Sequence, residues 1–595
     1  MNNKFSLWGL IFSFGVILFT SLFFFPRWDQ TRTEATLSWD VSGYYMYLPA
    51  FFIYKDIKQC SFGDSIIQKY YPSPDFQQVY RHEKSGNVVM KYAMGQSLAM
   101  FPGFLMGHWR AKNSNYPADG FSKPYQQSVG IWLLFFSFLG LFYLRKILLL
   151  YFKDKTVALL LIIYILGTNY LNYAAIDQGM THNTLFALYT IIIWNTIQFY
   201  KSPHFSKAII IGFATGWATL IRPTEIISLM IPLLWGITHL SLMKERISFV
   251  QTHFYKYLSA AALFMLIVFL QPLYWRYATG DWIVYSYGDQ GFSWLKPHIY
   301  DYTLSYRCGW WRFTPLMMLP FLGLYSMYKS KTEYSLVLLY FTLLSFYVVT
   351  AWDVWDYGGT AGRAMVQYYP VLAFPLCILI EKVESSKWLK YIFWSFVILF
   401  AYIGGWWVYQ AHAGEIQPLE MSRAYYWKKV GRWSADEEDK KLLYNRHVYR
   451  DTPQNPVIIF SQNFESDTTF YTLDVEGTRK LSLSKAHPHA HILTLTPDMP
   501  LKKWLRLTAE FTCVDKEWDL WKQADWIVRF KDGDKVRQTN SLKVQNFLDT
   551  GQTKTIYMDA KIPKKKWDHA EIFFWYTESE KELQVDNLII ETFDN

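Results

Sequence analysis

The sequence predicts a polytopic α-helical membrane domain of about eleven spanning helices followed by a soluble β-sandwich. Three observations carry this prediction. Apolar runs recur through the first 410 residues, Lys and Arg gather in alternate connections between them, and after about Ala411 the texture changes to short alternating segments. The chain has 595 residues, too many for one ordinary domain. It is 51% hydrophobic and 19% aromatic, yet its mean hydropathy is only +0.02, so apolar and ordinary polar parts must be mixed.

A hydrocarbon core needs about 20 apolar residues per helix. Phe5–Phe25 is the first such run. It is longer than a signal-peptide core and no A-x-A-like site follows, which predicts an uncleaved anchor. The remaining windows are Pro124–Tyr143, Thr156–Tyr173, Asn183–Tyr200, Ala208–Ile221, Ile226–Met243, Tyr257–Leu273, Phe313–Tyr328, Tyr334–Thr350, Ala364–Ile380 and Tyr391–Tyr409. One set of connections holds Arg145, Lys146, Lys153 and Lys155, then Lys201 and Lys207, Lys244, Arg246 and Lys256, Lys329 and Lys331, and Lys382, Lys387 and Lys390. The short connections of the other set, Leu171–His182 and Ala351–Arg363, carry almost none. The positive-inside rule makes the first set cytoplasmic, placing the N-terminus inside and the C-terminal domain outside. The predicted organisation is a membrane domain over residues 1–410 with a large outer loop 26–123, a partly helical linker 411–455, and a sandwich over 456–595.

In that last part Lys480–Leu483, Ile492–Leu495, Trp504–Phe511, Trp526–Phe530, Thr555–Asp559, Glu571–Trp575 and Gln584–Ile590 read as strands, with Asp532-Gly533 as a turn. The formal charge of +10 does not imply nucleic acid, because the cations sit in short connections where topology accounts for them. The four cysteines lack CxxC spacing, which excludes a zinc ribbon or redox motif; Cys60 and Cys308 both fall in outward loops and are a candidate pair.

The outward connections hold the unusual polar clusters. Asp40 follows Trp39 and precedes Tyr44 and Tyr45; an acid shielded by aromatics can serve as a general base or bind a divalent cation. Asp177 and His182 lie at the bilayer edge, read equally as functional groups or as an interfacial capping pair. Arg222, in Leu220-Ile221-Arg222-Pro223-Thr224-Glu225, suits a phosphate or a pair with Glu225. In the loop Tyr274–Arg312, the segment Tyr285–Phe292 interleaves rings with glycines and polar groups, including Tyr287, Asp289 and Gln290. Rings that stack on sugar faces beside groups that hold hydroxyls suit a carbohydrate. The segment Trp352–Arg363 brings glycines and the charge of Arg363, a weak anion-binding signal that matches no nucleotide fingerprint. His487, His489 and His491 alternate, a spacing that on a strand could hold a metal.

Taken in order, a loop acid after the first helix, Lys91-Tyr92-Ala93-Met94-Gly95 leading to Phe101-Pro102-Gly103-Phe104, and a second acid in the next outward loop form a pattern. It resembles the GT-C superfamily of membrane glycosyltransferases, in its protein O-mannosyltransferase-like and aminoarabinose-transferase-like branch, over roughly Met1 to Gln410. It is also similar to membrane proteins of the Bacteroidota that carry comparable segments. The resemblance implies a GT-C-like fold, a bacterial inner membrane location with a periplasmic C-terminal domain, and a polyprenyl-phosphate-linked sugar moved to a periplasmic glycan, lipid or protein. Asp40 then corresponds to the family's base or metal ligand, and Asp177 to its second acid. Lys91 falls where relatives contact the lipid phosphate, and Arg222, Arg307 and Arg363 are added from charge and position. Trp39, Tyr44, His182, Tyr287, Asp289 and Gln290 are expected around sugar or acceptor. The resemblance fixes no cofactor, and a divalent cation is an option. The sandwich resembles jelly-roll carbohydrate-binding modules. A non-catalytic carrier or export component is the competing expectation; it would place charges near the midplane rather than at the outer ends of spans.

Overall fold

The computed structural model describes residues 3–594 except 74–75, 360–361, 417–419, 466–469, 476, 516–517, 519–521 and 577–578. Of the Trp352–Arg363 segment, Thr360 and Ala361 therefore lie outside the described residues. The chain forms two compact units, Met1–Ala413 and Gly414–Asn595.

The first unit is helical. Among the described residues five helices are long and apolar enough to cross a membrane: Lys4–Asp29, Lys123–Leu148, Phe254–Thr279, Arg363–Glu384 and Leu389–His412. Phe205–Ile221, Pro223–Leu234 and Ser335–Ala351 are shorter apolar helices. Thr181–Lys201 is a further helix, buried almost throughout, and Asp154–Gly167 and Leu319–Ser330 complete the set of predicted windows. Three windows depart from expectation. Thr156–Tyr173 stops at Gly167, where Thr168 is extended at φ −131°, ψ 163°, and Phe313–Tyr328 is broken at Thr314, φ −130°, ψ 65°. The third, Ile226–Met243, is not continuous, because a 3-10 turn over Pro223–Leu229 gives way to the five-residue helix Met230–Leu234, and Gly236 then takes φ +84°. A left-handed backbone ends a helix.

The long connection 26–123 is more structured than its length suggests. It carries the short helices Asp40–Tyr45, Tyr47–Phe52 and Gly63–Tyr70, a hairpin of β1 (Val79–Arg81) and β2 (Val88–Met90), and the 18-residue helix Gly95–Lys112. That helix packs tightly through glycines. A Cβ on Gly103 would meet Val129 at 2.8 Å, and one on Gly95 would meet the backbone nitrogen of Ile221 at 2.3 Å. Trp217 also donates its indole N–H to the Gly95 carbonyl at 2.8 Å, so Gly95–Lys112 is fastened to the outer end of Phe205–Ile221.

The second unit begins with the short helices Arg423–Lys429 and Glu437–Lys440. Ten strands follow: β3 (Gln454–Gln462), β4 (Thr472–Val475), β5 (Thr478–Leu483), β6 (His489–Leu495), β7 (Trp504–Cys513), β8 (Ala524–Asp532), β9 (Lys535–Lys543), β10 (Thr553–Lys561), β11 (His569–Tyr576) and β12 (Leu583–Asp594). One antiparallel sheet runs β10-β7-β12-β5-β4 with β3 also on β12; the other runs β6-β11-β8-β9. Inward residues alternate along β7, as period-two patterning requires. The two sheets share a core that includes Leu507, Phe511, Trp526, Phe530, Phe574 and Ile590. The β8–β9 turn falls on Asp532-Gly533, with Gly533 at φ +59°. Sequence patterning missed β3, β4 and β9; the last reads Lys-Val-Arg-Gln-Thr-Asn-Ser-Leu-Lys and is too polar to announce itself.

Two expectations meet a different arrangement. All four cysteines are free, and the thiol of Cys308 points at the Asp356 and Tyr357 carbonyls rather than at Cys60. His487 precedes β6 and stacks on Tyr471 at 3.5 Å, so only His489 and His491 share the strand face. Among the described residues no group of three or more His, Cys, Asp or Glu side chains is placed to hold a metal.

Candidate functional site

A cavity of about 340 Å³ in the first unit collects side chains from four connections between helices. Asp40 enters at the start of the helix Asp40–Tyr45. The preceding residue, Trp39, holds φ +57°, a backbone conformation rare for a side-chain-bearing residue and costing about 1–3 kcal/mol. Trp39 N–H donates to Ser73 Oγ at 2.6 Å, one of the contacts that hold this corner. Arg222 arrives by a different device. Pro223 forbids helical geometry at the residue before it. The helix therefore stops at Ile221, and Arg222 is extended at φ −141°, ψ 120°. Lys91 and Tyr92 lie between β2 and Gly95–Lys112, with the Lys91 carbonyl accepting from Ser286 Oγ at 2.7 Å. Gly362, at φ +73°, lies where a Cβ would meet the Trp310 ring at 2.1 Å, and it turns the chain so that Arg363 opens a 3-10 segment at the cavity.

Inside, Asp40 is the centre. Its Oδ2 accepts from Arg363 at 2.7 Å and its Oδ1 from the Tyr92 hydroxyl at 2.7 Å. Burial alone pushes the Asp40 carboxyl up. Arg363, the Tyr92 hydroxyl, Arg222 and Lys91 outweigh burial and hold the carboxyl below its ordinary value. The Arg363 guanidinium also lies over the Tyr357 ring at 4.5 Å, and the Lys91 ammonium sits 5.7 Å from the Tyr92 ring and 6.0 Å from that of Tyr287. Among the described residues, the cavity's ion pair is Arg363–Asp40; Arg222 and Lys91 line the same space without a carboxylate partner. The donor set does not suit a divalent cation, since Asp40 is surrounded by three cations and already paired.

Tyr44, Tyr285, Tyr287, Gln290, Phe292 and Trp352 form an aromatic and amide flank. The loop Tyr285–Phe292 is held in place by Trp352: Phe292 and Trp352 form an isolated antiparallel bridge and their rings meet at 4.8 Å. Ile221, Val348, Val349 and Ala364 line another part of the wall, at or beside the ends of apolar helices. Glu225 lies in the same lining and is fully buried; it accepts from the hydroxyls of Tyr189 and Tyr368 and from Gln367 Nε2 at 3.0 Å. Glu225 is thus occupied by three donors.

The cavity brings together Asp40, Lys91, Arg222, Arg363, Tyr44, Tyr287 and Gln290 of the sequence-derived candidates. The other candidates lie elsewhere. Asp177 is ion-paired with Arg27 and accepts from Asn172 at 2.8 Å, since a carboxylate that closes a short buried loop needs its charge matched there. His182 is fully buried behind the lining, its Nδ1 2.8 Å from Gln367 Oε1. Arg307 pairs with Asp356 at 2.8 Å outside the cavity, and Asp289 is an exposed loop residue. Trp39 shapes the backbone before Asp40 without lining the space. Residues that sequence reasoning passed over are Tyr92, Tyr357, Gln367 and Tyr368. Tyr92 had a signal, its place beside Lys91; Gln367 and Tyr368 had none, because they lie within an apolar run.

No protein-family model matches the chain, and no curated protein matches it in sequence. Among solved structures it is similar to the oligosaccharyltransferase of Archaeoglobus fulgidus in the apo form, at TM-score 0.44 and 10% identity, over 75% of this chain and 60% of that one. It is also similar to a family 16 carbohydrate-binding module at TM-score 0.15 and 17% identity, over 19% of this chain and 77% of the module. A third likeness is to the infectious bursal disease virus VP2 subviral particle, at TM-score 0.17 and 12% identity, over 25% of this chain and 36% of that one. At such scores none of these likenesses carries an assignment.

Proposed function

We propose that the chain is a membrane glycosyltransferase that moves a sugar from a polyprenyl-phosphate donor to an acceptor on the outer face of the bilayer. One observation carries the reading: a single cavity holds an ionised carboxylate, two cations without carboxylate partners, a flank of rings, and an apolar wall at the ends of apolar helices. Each part has a counterpart in such a donor. The apolar wall of Ile221, Val348 and Val349 accommodates the first prenyl units, Arg222 and Lys91 the phosphate, and Tyr44, Tyr287 and Trp352 the sugar face.

The chemistry needs only orientation, a proton acceptor and charge stabilisation. The acceptor's hydroxyl or amine attacks the anomeric carbon, the bond from that carbon to the phosphate oxygen breaks, and the acceptor's proton passes to Asp40. The departing lipid phosphate gains one negative charge, which Arg222, Lys91 and Arg363 balance. While Arg363 and Tyr92 both bind it, Asp40 is too well stabilised to be a strong base. A phosphate that draws Arg363 toward itself releases Asp40 and raises its basicity as the donor binds.

Two measurements test this. Mass spectrometry of lipids co-purifying with the protein is expected to find a polyprenyl phosphate or its sugar conjugate. Asp40→Asn is expected to lower transfer from a synthetic polyprenyl-phosphate sugar by about 10²–10⁴-fold, the usual worth of a general base. Wild-type transfer rates in that variant would remove Asp40 from the mechanism.

A further inference from the structure

We infer that the second unit carries a separate anion site, which takes a phosphate or carboxylate group on a small, sugar-sized molecule. It lies at the open flank of the sandwich. There β9, the edge of one sheet, comes beside β10, the edge of the other, and the segment Arg446-His447 closes over the gap. The cavity between them measures about 280 Å³. Its lining is Arg446, His447, Arg537, Lys561 and the uncharged Val536 and Gln538–Asn540.

The site is built rather than incidental. Asn445 is almost fully buried and plugs into β9: its Nδ2 donates to the Ser541 carbonyl at 2.9 Å, while its Oδ1 accepts from Asn540 Nδ2 at 3.0 Å and from Ser541 N–H at 3.2 Å. That clamp fixes the neighbouring Arg446 and His447 at the rim. Gln538 ties the two sheet edges together, its Nε2 donating to the Lys561 carbonyl at 2.7 Å and to Asn540 Oδ1 at 2.7 Å. The cations therefore converge from three separate stretches of chain held by buried amides.

Their charge is not cancelled locally. No carboxylate lines the cavity, and among the described residues its one ion pair is Arg537 with Asp532; Arg446 and Lys561 have none. Edge strands commonly carry lysines that keep other strands away, but such side chains diverge into solvent. Here they share one concavity. His447 registers the resulting field: burial first, then Lys561 and Arg446, lower its pKa and keep it neutral at physiological pH. A bound anion reverses that pressure and favours the imidazolium, which adds a fourth cation. The volume is at the small end for a ligand pocket, which suits one anionic group with a single ring attached rather than an extended chain.

The test uses the full chain in detergent, carrying Arg222→Gln to weaken the separate cationic cavity of the first unit, with inorganic phosphate, glucuronate and glucose as calorimetric probes. Phosphate and glucuronate are expected to bind and glucose not to. Arg446→Gln with Lys561→Gln is expected to weaken both anions at least tenfold with an unchanged melting temperature. Affinity for glucuronate, whose carboxylate keeps its charge over this range, is expected to rise from pH 7.5 to pH 5.5 as His447 takes its proton, and His447→Gln to abolish that rise. Preference for phosphate identifies a phosphorylated ligand, and preference for glucuronate a sugar acid. Glucose binding as tightly as glucuronate, or anion binding indifferent to Arg446 and Lys561, overturns the inference. Should the double variant unfold, Arg446→Gln alone serves: Arg446 is exposed, and its loss is expected to weaken anions without touching the fold.

Discussion

Arg363→Gln separates the two duties given to that guanidinium. It sits 2.7 Å from Asp40, with side chains 15% and 22% exposed, so the pair is mostly shielded from water. The first duty is to hold the donor phosphate. A hydrogen bond to a charged group contributes about 1.5–3 kcal/mol, so donor KM is expected to rise by roughly 10- to 150-fold. The second is to hold Asp40 ionised. Burial drives that carboxyl up and Arg363 is the foremost of the groups opposing it, so without Arg363 the carboxyl rises. In the wild type Asp40 keeps its charge below the ordinary aspartate range, and the stability from the pair is lost only as pH falls through that depressed value. In the variant the acid limb of the rate profile therefore moves to higher pH. The assay is single-turnover transfer from a synthetic polyprenyl-phosphate sugar between pH 4 and 8, with donor concentration varied. An unchanged KM together with an unchanged acid limb would refute both duties at once.

Two further outcomes concern parts outside the cavity. Asp177→Asn strands the shielded charge of Arg27 and is expected to cost about 3–5 kcal/mol, read as a lower melting temperature; transfer per folded molecule should fall far less than in Asp40→Asn. In the second unit burial pushes the Asp525 carboxyl up to about 6, against the opposing pull of Lys543 and with help from Glu420. Because its folded value lies above the unfolded one, the stability it contributes is present below about pH 4 and is lost as pH rises toward 6. Asp525→Asn is thus expected to stabilise that unit at pH 7.5 by about 1–3 kcal/mol and to flatten this part of its pH dependence. A variant that melts earlier than wild type at pH 7.5 would contradict the sign.

Among the described residues, five of the predicted windows lie on helices long and apolar enough to cross a membrane, because hydrocarbon thickness imposes a length and a composition that few other constraints mimic. Ile226–Met243 is one window that breaks, since its composition is apolar while Pro223 and Gly236 control its backbone. The sandwich strands were legible wherever one face is buried, as in β7, and not where both faces are polar, as in β9. At the cavity, charge and position pointed to Asp40, Arg222 and Arg363, because charged groups beside apolar runs are few, and the family resemblance added Lys91. The same logic could not tell which charges already had partners. Asp177 with Arg27 and Arg307 with Asp356 are pairs between residues 150 and 49 positions apart, and only folding brings them together. Glu225 illustrates the converse: it stands three residues from Arg222, yet its hydrogen bonds come from Tyr189, Gln367 and Tyr368.

Gly95 has a mechanical consequence. Its missing side chain lets the start of Gly95–Lys112 press against the backbone immediately before Arg222, and the Trp217 hydrogen bond locks that contact. Lys91 and Tyr92 sit just ahead of this glycine in the chain. The cation on one side of the cavity and the lysine–tyrosine pair on the other are therefore tied to one point of close packing. A shift of the end of Phe205–Ile221 would reach the hydroxyl that binds Asp40 through this one contact.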